Sequence, residues 1–597
     1  MKSDSNNGLD ENIKNCNSLL EMLQLQMQAK GDQAVYTFLK DGEVPSGSLT
    51  FIELEQKARA IGAYLQAQST PGDRVLLLYS PGLEYISAFL GCLYAGVIAI
   101  PAYPPRNKRH LPRFQAIVAD AQSTIAMTST DLIKTTERMF KNAPGLEMLR
   151  WVTTDDLDMN VARDWKTVDA QRSDIAFLQY TSGSTGSPKG VMVTHGNLLH
   201  NESLIKRYFN ITEDYTFVSW LPPYHDMGLI GGLLQPLYTG LHTLMMTPFA
   251  FLQSPYRWLK AISDVQGPVM TGGPNFAYEI CVSKVTEEQK ATLDLSRWSV
   301  ASNGAEPINL ETLNRFYEAF KSTGYKAQAS FPCYGLAEGT LFVTGGPKDK
   351  APISLHIDAD KIEKNVIDVK PTDDAIKRLL VASGTPAEEQ SIKIVNPNTF
   401  RECSSTQVGE IWVSGDSVAK GYWNRPDQTK ETFHARVVGV EDENHYLRTG
   451  DLGFLHDNQL YVTGREKDLI IIRGRNHYPQ DIEETVSAAD PTQGQNQSPI
   501  RVGNVAAFSI KIDDEEKLVV AAEVDRHYLK TCKRFTKLQE TDEKPDPELD
   551  ESGKQKYLSM DPDLVIAAVR QAIAENHDLQ IHAISLLKTE GMPKTSS

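Results

Sequence analysis

From Ser48 onward the chain alternates two textures. "SLTFIELEQKARAIGAYLQAQ" repeats apolar positions at helical spacing, "RVLLLYS" is a continuous apolar run of strand length, and "EYISAFLGCLYAG" is helix-like again. "TIAMTST" and "FVSWLP" extend the alternation. Strands that are apolar throughout are buried on both faces, which predicts parallel sheets covered by helices. After about Leu355 the runs shorten to "SIKIVNP", "GEIWVSG" and "LYVTG", as expected of a smaller β-rich subdomain. Beyond Asp468, "LIIIRG", "VAAFSI", "KLVVAAEV" and "ISLLKT" interleave with the helix candidates "PQDIEETVSAA" and "DLVIAAVRQAIAEN". The expected fold is thus a large α/β N-terminal domain with a small β-rich subdomain, residues 17–466, followed by a small α+β C-terminal domain, residues 467–597. The polar leader 1–16 is expected to be disordered.

One stretch challenges a soluble reading. Tyr85 to Pro105 carries no charge and is long enough to span a bilayer. Its glycines, the compact "VIAI" and the prolines Pro101, Pro104 and Pro105 instead predict a buried helix followed by a buried strand that stops at proline. No integral membrane association is expected. The formal net charge of −16 argues against nucleic acid or an anionic membrane as the main partner. Six cysteines without paired spacing suggest neither a disulfide framework nor a zinc site, and fit a reducing cytoplasm. "KRFTKLQETDEKPDPELDESGKQKY" is rich in charge and proline and reads as a solvated excursion.

Between "DIAFLQY" and "VMVT", both strand-like, the ten residues Thr181 to Gly190 hold three glycines and five hydroxyl side chains, with Lys189 near their end. Such a loop lets backbone N–H groups converge on an anion, although glycine and serine are also ordinary turn residues. It is not a Walker loop, because Lys189 follows Pro188 and precedes Gly190. Thr194 is a plausible N-cap for the helix that follows.

Six motifs occur in order: "YTSGSTGSPKG", "LPPYHDMG" (221–228), "SNGAEP" (302–307), "CYGLAEGT" (333–340), "YLRTGDLG" (446–453) and "GREKDLIIIRGRNHYPQDIE" (464–483). Together they resemble the adenylate-forming superfamily of acyl-activating enzymes. The wording of "PPYHDMGLIGGLLQPLY", "YGLAEGTLFVTGG" and "RGRNHYPQDIE" is similar to one branch, the fatty acyl-AMP ligases, as is the extra segment near residues 345–370, "KDKAPISLHIDADKIEKNVIDV".

The resemblance implies that a fatty acid is activated by ATP to acyl-AMP with release of pyrophosphate. The acyl group then passes to the phosphopantetheine thiol of an acyl carrier protein domain of a polyketide or nonribosomal peptide synthase. A coenzyme A ligase and a nucleotide- or adenylate-binding protein without turnover are the alternatives. Thr181, Ser182, Gly183, Ser184, Thr185 and Gly186 would wrap the phosphates, with Lys189 nearby. Glu338 would be the Mg2+ ligand, since a hard cation prefers a carboxylate. Asn303, Gly304 and Ala305 would form the adenine slot, Tyr334 would stack on the base, and Gly335 and Leu336 would close it. Asp451 would accept hydrogen bonds from the ribose hydroxyls and Arg465 would reach the same sugar. His225 would gate the site or support its charge rather than act as a base, because the substrate carboxylate is already ionised. Lys467 matches the family's hinge. "SWLPPYHDMGLIGGLLQPLY" and "MMTPFAFL" would help line an acyl tunnel, although core packing explains them equally well. The chain ends "KTEGMPKTSS" where the family runs through Ser-Gly-Lys to an invariant lysine; Lys594 does not match it, so a truncated small domain with weak adenylation is expected.

Overall fold

The computed structural model describes residues 2–105, 111–134, 143, 145–146, 149–181, 188–441, 443–472, 475–489, 491, 498–512, 515–525, 562–577, 579–589 and 591–592, without the side chains of 2–7. The charged excursion and Lys594 therefore lie outside the described residues.

Two large sheets form the N-terminal part, as expected. The six-stranded sheet runs Arg150–Thr153, Ile125–Thr128, Arg74–Leu78, Ile98–Pro101, Ile175–Thr181, Lys189–Thr194. All its pairs are parallel except the last, a hairpin whose register sets Thr181 opposite Lys189. The nine-stranded sheet has a parallel centre that includes Thr216–Ser219, Val269–Gly273, Trp298–Asn303 and Ser330–Gly335. Helices cover the doubly buried strands. Phe51–Gln66 and Leu83–Ala95 approach so closely that a Cβ on Gly91 would stand 2.4 Å from Ile61 Cγ2. The uncharged stretch after Tyr85 is this helix plus the buried strand Ile98–Pro101, and among the described residues no helix is long and apolar enough to cross a membrane.

The shorter runs form a four-stranded antiparallel sheet, Gln390–Val395, Gly409–Gly415, Leu447–His456 and Gln459–Arg465. Beyond Ile470, a three-stranded sheet of Ile500–Ile512, Glu515–Val524 and Ile581–Leu587 packs with the helices Pro479–Ala488 and Pro562–His577 around Ile482, Val486, Val520, Val569 and Ile573.

The leader departs from expectation. Lys2–Lys14 is helical, Ile13 and Cys16 are buried, and Lys206 Nζ pairs with Asp10 at 2.6 Å. A few apolar side chains at its C-terminal end are enough to tie an otherwise polar segment down.

Candidate active site

Ligands of open α/β sheets bind beyond the carboxyl ends of the strands. Here Trp298–Asn303 and Ser330–Gly335 run parallel and deliver Gly304, Ala305, Tyr334, Gly335 and Leu336 to the wall of one cleft of about 3710 Å³. Thr181, Lys189, His225, Glu338, Asp451, Arg465 and Lys467 line it too. The volume is several times the roughly 300–1,000 Å³ of a small-molecule pocket, leaving room for more than a nucleotide. On the cleft floor, a Cβ at Gly335 would meet Leu341 O at 1.7 Å, so only glycine lets the chain turn there. Ala305 holds a left-handed φ of 69°, a strained conformation for a residue with a Cβ.

Two of the carboxylates that line this cleft, Asp451 and Glu338, each accept a hydrogen bond from a tyrosine. Asp451 and Arg465 are register partners across the hairpin formed by Leu447–His456 and Gln459–Arg465. Arg465 Nε donates to Asp451 Oδ1 at 2.9 Å and Tyr334 Oη donates to Oδ2 at 2.7 Å. Burial pushes the Asp451 carboxyl above its usual range, against the pull of Arg465 and Tyr334. Glu338 lies in the short turn Ala337–Gly339, where Tyr422 Oη donates to its Oε1 at 2.8 Å; burial raises this carboxyl as well. Lys189 Nζ stands 4.8 Å over the ring centroid of Tyr422.

His225 Nδ1 is 2.6 Å from Asp226 Oδ1 at the entry to the π-helix Met227–Leu234. The Asp226 charge raises the imidazole's pKa despite burial, which favours the imidazolium and suits charge support better than proton abstraction. Lys467 lies in the one-turn segment Glu466–Asp468, its ammonium destabilised first by burial and then by Arg465.

Of the expected residues, Ser182, Gly183, Ser184, Thr185 and Gly186 lie outside the described residues. Asn303 is fully buried; its Nδ2 donates to Asn275 Oδ1 at 3.4 Å and its Oδ1 has no partner. The tunnel expectation is only partly met. Leu221, Tyr224, Met227, Gly231 and Gly232 face the cleft, whereas "MMTPFAFL" reaches it through Leu252 while Met246 and Phe251 pack in the core.

Sequence reasoning missed Tyr422 and Glu410. Glu410 is 1% exposed and accepts from Gly450 N at 3.1 Å, Trp412 Nε1 at 2.8 Å and Arg448 Nε at 3.0 Å, bracing the strand that carries Asp451. An acid inside an otherwise apolar strand, "GEIWVSG", was the available signal.

The profile of the AMP-binding enzyme family matches residues 23–423. The chain belongs to that family. The enzyme is similar to the medium-chain-fatty-acid–[acyl-carrier-protein] ligase JamA of Moorena producens, 42% identical over 586 residues, covering 97% of this chain and 93% of JamA. It is 34% identical over 590 residues to the long-chain-fatty-acid–AMP ligase FadD26 of Mycobacterium tuberculosis, covering 97% and 95% of the two chains. A fatty acyl-adenylate ligase from L. pneumophila, solved with acyl adenylate and pyrophosphate, superposes with a TM-score of 0.74 at 41% identity, covering 98% of the enzyme and 94% of that chain.

If the His225 imidazolium is the working form, activity falls as pH rises through its pKa. Asp226→Asn removes the charge that raises that pKa, so the alkaline limb of the pyrophosphate-exchange profile should move to lower pH. An unmoved limb, or activity that climbs with imidazole deprotonation, would assign His225 to another role.

Proposed function

We propose that the enzyme joins a fatty acid to ATP, releasing pyrophosphate, and passes the acyl group to the phosphopantetheine thiol of an acyl carrier protein domain in a polyketide or nonribosomal peptide synthase. The observation that carries the first step is the convergence of the Thr181/Lys189 hairpin end, Glu338 and the Asp451–Arg465 pair on one cleft. Relatives acting on fatty acids and acyl carrier protein support the substrate class. Five cysteines, Cys16, Cys92, Cys281, Cys333 and Cys403, are unpaired, in keeping with a reducing cytoplasm.

A carboxylate oxygen of the fatty acid attacks the α-phosphorus of ATP and pyrophosphate leaves. No protein nucleophile is required; the site supplies alignment and positive charge. Lys189 offers a cation to the phosphates, to which the hydroxyl-rich sequence 182–187 would add N–H contacts, and imidazolium at His225 adds charge beside the incoming carboxylate. Asp451 accepts the ribose hydroxyls in partial exchange for its bonds to Tyr334 and Arg465. Asn303, by contrast, is fully buried and does not line the cleft, so the proposed adenine slot rests on Gly304, Ala305, Tyr334, Gly335 and Leu336. Mg2+ fits Glu338: a desolvated carboxylate is a hard ligand whose charge a dication compensates. An ion there would draw its remaining ligands from water and phosphate oxygens. Bound with ATP, the ion would neutralise charge accumulating on the phosphates.

In the second step the carrier thiol, as thiolate, attacks the acyl carbonyl and AMP departs. Rotation of the small domain about Lys467 would exchange the two arrangements. The extra segment bears on this rotation. Its strand Ser354–Asp358 pairs with Lys377–Val381, and Ile357, Ile362 and Ile367 are buried with Phe454, Tyr461 and Tyr478. Glu363 Oε1 then meets His477 Nδ1 at 3.0 Å, Asn476 N donates to Glu363 O at 3.1 Å, and Arg378 pairs with Asp481 at 3.0 Å while stacking on Tyr478. These bonds hold the start of the small domain, restraining the rotation that would admit coenzyme A.

Incubating the enzyme with ATP, magnesium and a ladder of fatty acids should yield acyl-AMP and a loaded carrier protein by mass spectrometry, with little acyl-coenzyme A. Glu338→Gln should cut acyl-AMP formation by roughly 10²-fold with an unchanged thermal melt; parental rates at saturating magnesium would remove Glu338 from the site. Absence of acyl-AMP across the whole ladder would overturn the ligase reading.

Deleting 348–369, or the milder Glu363→Ala, should raise the share of acyl-coenzyme A. An unchanged product split in a normally folded Glu363→Ala protein would mean that the segment does not choose the acceptor.

A further inference from the structure

Lys189 and Glu338 carry opposite charges into the same cleft, both half-buried, where attraction between them is stronger than in bulk water. Collapsed into a direct pair, neither would be available to a nucleotide. Among the described residues they form no direct ion pair, and both contact Tyr422. Its ring face takes the ammonium at 4.8 Å and its hydroxyl, at the far end of the same ring, donates to the carboxylate at 2.8 Å.

The backbone around Tyr422 is stitched to both partners. Trp423 N donates to Gly190 O at 2.8 Å and Lys420 N to Met192 O at 3.0 Å, fastening the segment to the strand that begins at Lys189. Ala419 N donates to Glu338 O at 2.9 Å. Tyr422 N donates to Thr429 Oγ1 at 2.9 Å, and the ring packs edge-on against Phe433 with centroids 5.0 Å apart. A side chain so fixed has one orientation to offer, and it is 7% exposed.

We propose that Tyr422 is a positioning residue for adenylation. Its ring seats Lys189 for the phosphate anion, its hydroxyl orients Glu338 for the accompanying dication, and its bulk keeps the two charges from neutralising each other. The inference rests on the ligase reading, but assigns a role to a side chain outside the six motifs.

The test separates ring from hydroxyl. Tyr422→Phe keeps the ring and Tyr422→Leu removes both functions. Calorimetric titration with a non-hydrolysable ATP analogue, with and without magnesium, reads binding apart from turnover. Tyr422→Phe should bind the metal-free analogue within about twofold of the parent yet lose about tenfold of the affinity gained with magnesium, the scale expected when a partner of a metal ligand is removed. Tyr422→Leu should weaken both, and its loss should be non-additive with that of Lys189→Met. Thermal melting should be unchanged in Tyr422→Phe. If both variants keep the parental magnesium gain, or if affinity falls only in step with melting temperature, Tyr422 is a packing residue and the proposal is overturned. The parent's own acyl-AMP formation decides the ligase reading independently; a parent that binds no nucleotide would overturn both.

Discussion

The cleft depends on keeping the carboxylates of Asp451 and Glu338 in place although burial opposes their charge. Burial alone favours the neutral acid, and both Asp451 and Glu338 are pushed that way. Each is held by a phenol donating a short hydrogen bond, with a cation placed differently in the two cases. Arg465 touches Asp451 directly, whereas Lys189 sits over the ring of Tyr422, whose hydroxyl holds Glu338. The difference matches the chemistry proposed for each: ribose hydroxyls need a fixed acceptor, whereas phosphates and a dication need both charges unspent.

The fold supplies these placements through register. Hairpin pairing brings Asp451 opposite Arg465 and Thr181 opposite Lys189, and parallel pairing brings Asn303 level with Pro332. Slipping any of these strands by one residue would turn the functional side chain to the opposite face. Glu410 secures the strand that carries Asp451 by binding Gly450 N one residue ahead of it. The contacts of Glu363 and Arg378 with residues 476–481 extend the same scaffold to the small domain.

Much of this was legible in the chain because burial on both faces leaves continuous apolar runs, and those runs became the strands of the two large sheets. Thr194 caps its helix with a full capping box, as its position indicated. Local chemistry is readable where it is local. The helical leader was not, because its anchorage comes from Ile13, Cys16 and the Lys206–Asp10 pair, which involves a residue far along the chain. Tunnel and core were indistinguishable for the same reason: Leu252 and Phe251 are adjacent apolar residues, yet one faces the cleft and the other the interior. Tyr422 lies 84 residues from Glu338, so its role emerges only when the chain is folded.

A single bound acyl-adenylate would touch all of these separated segments at once. Hydrogen exchange of backbone amides, recorded with and without a non-hydrolysable acyl-adenylate, tests it most directly. The expected result is slowed exchange in four stretches at once: residues 189–194, 302–307, 333–339 and 447–453. Protection confined to one stretch, or centred outside the cleft, would contradict the account.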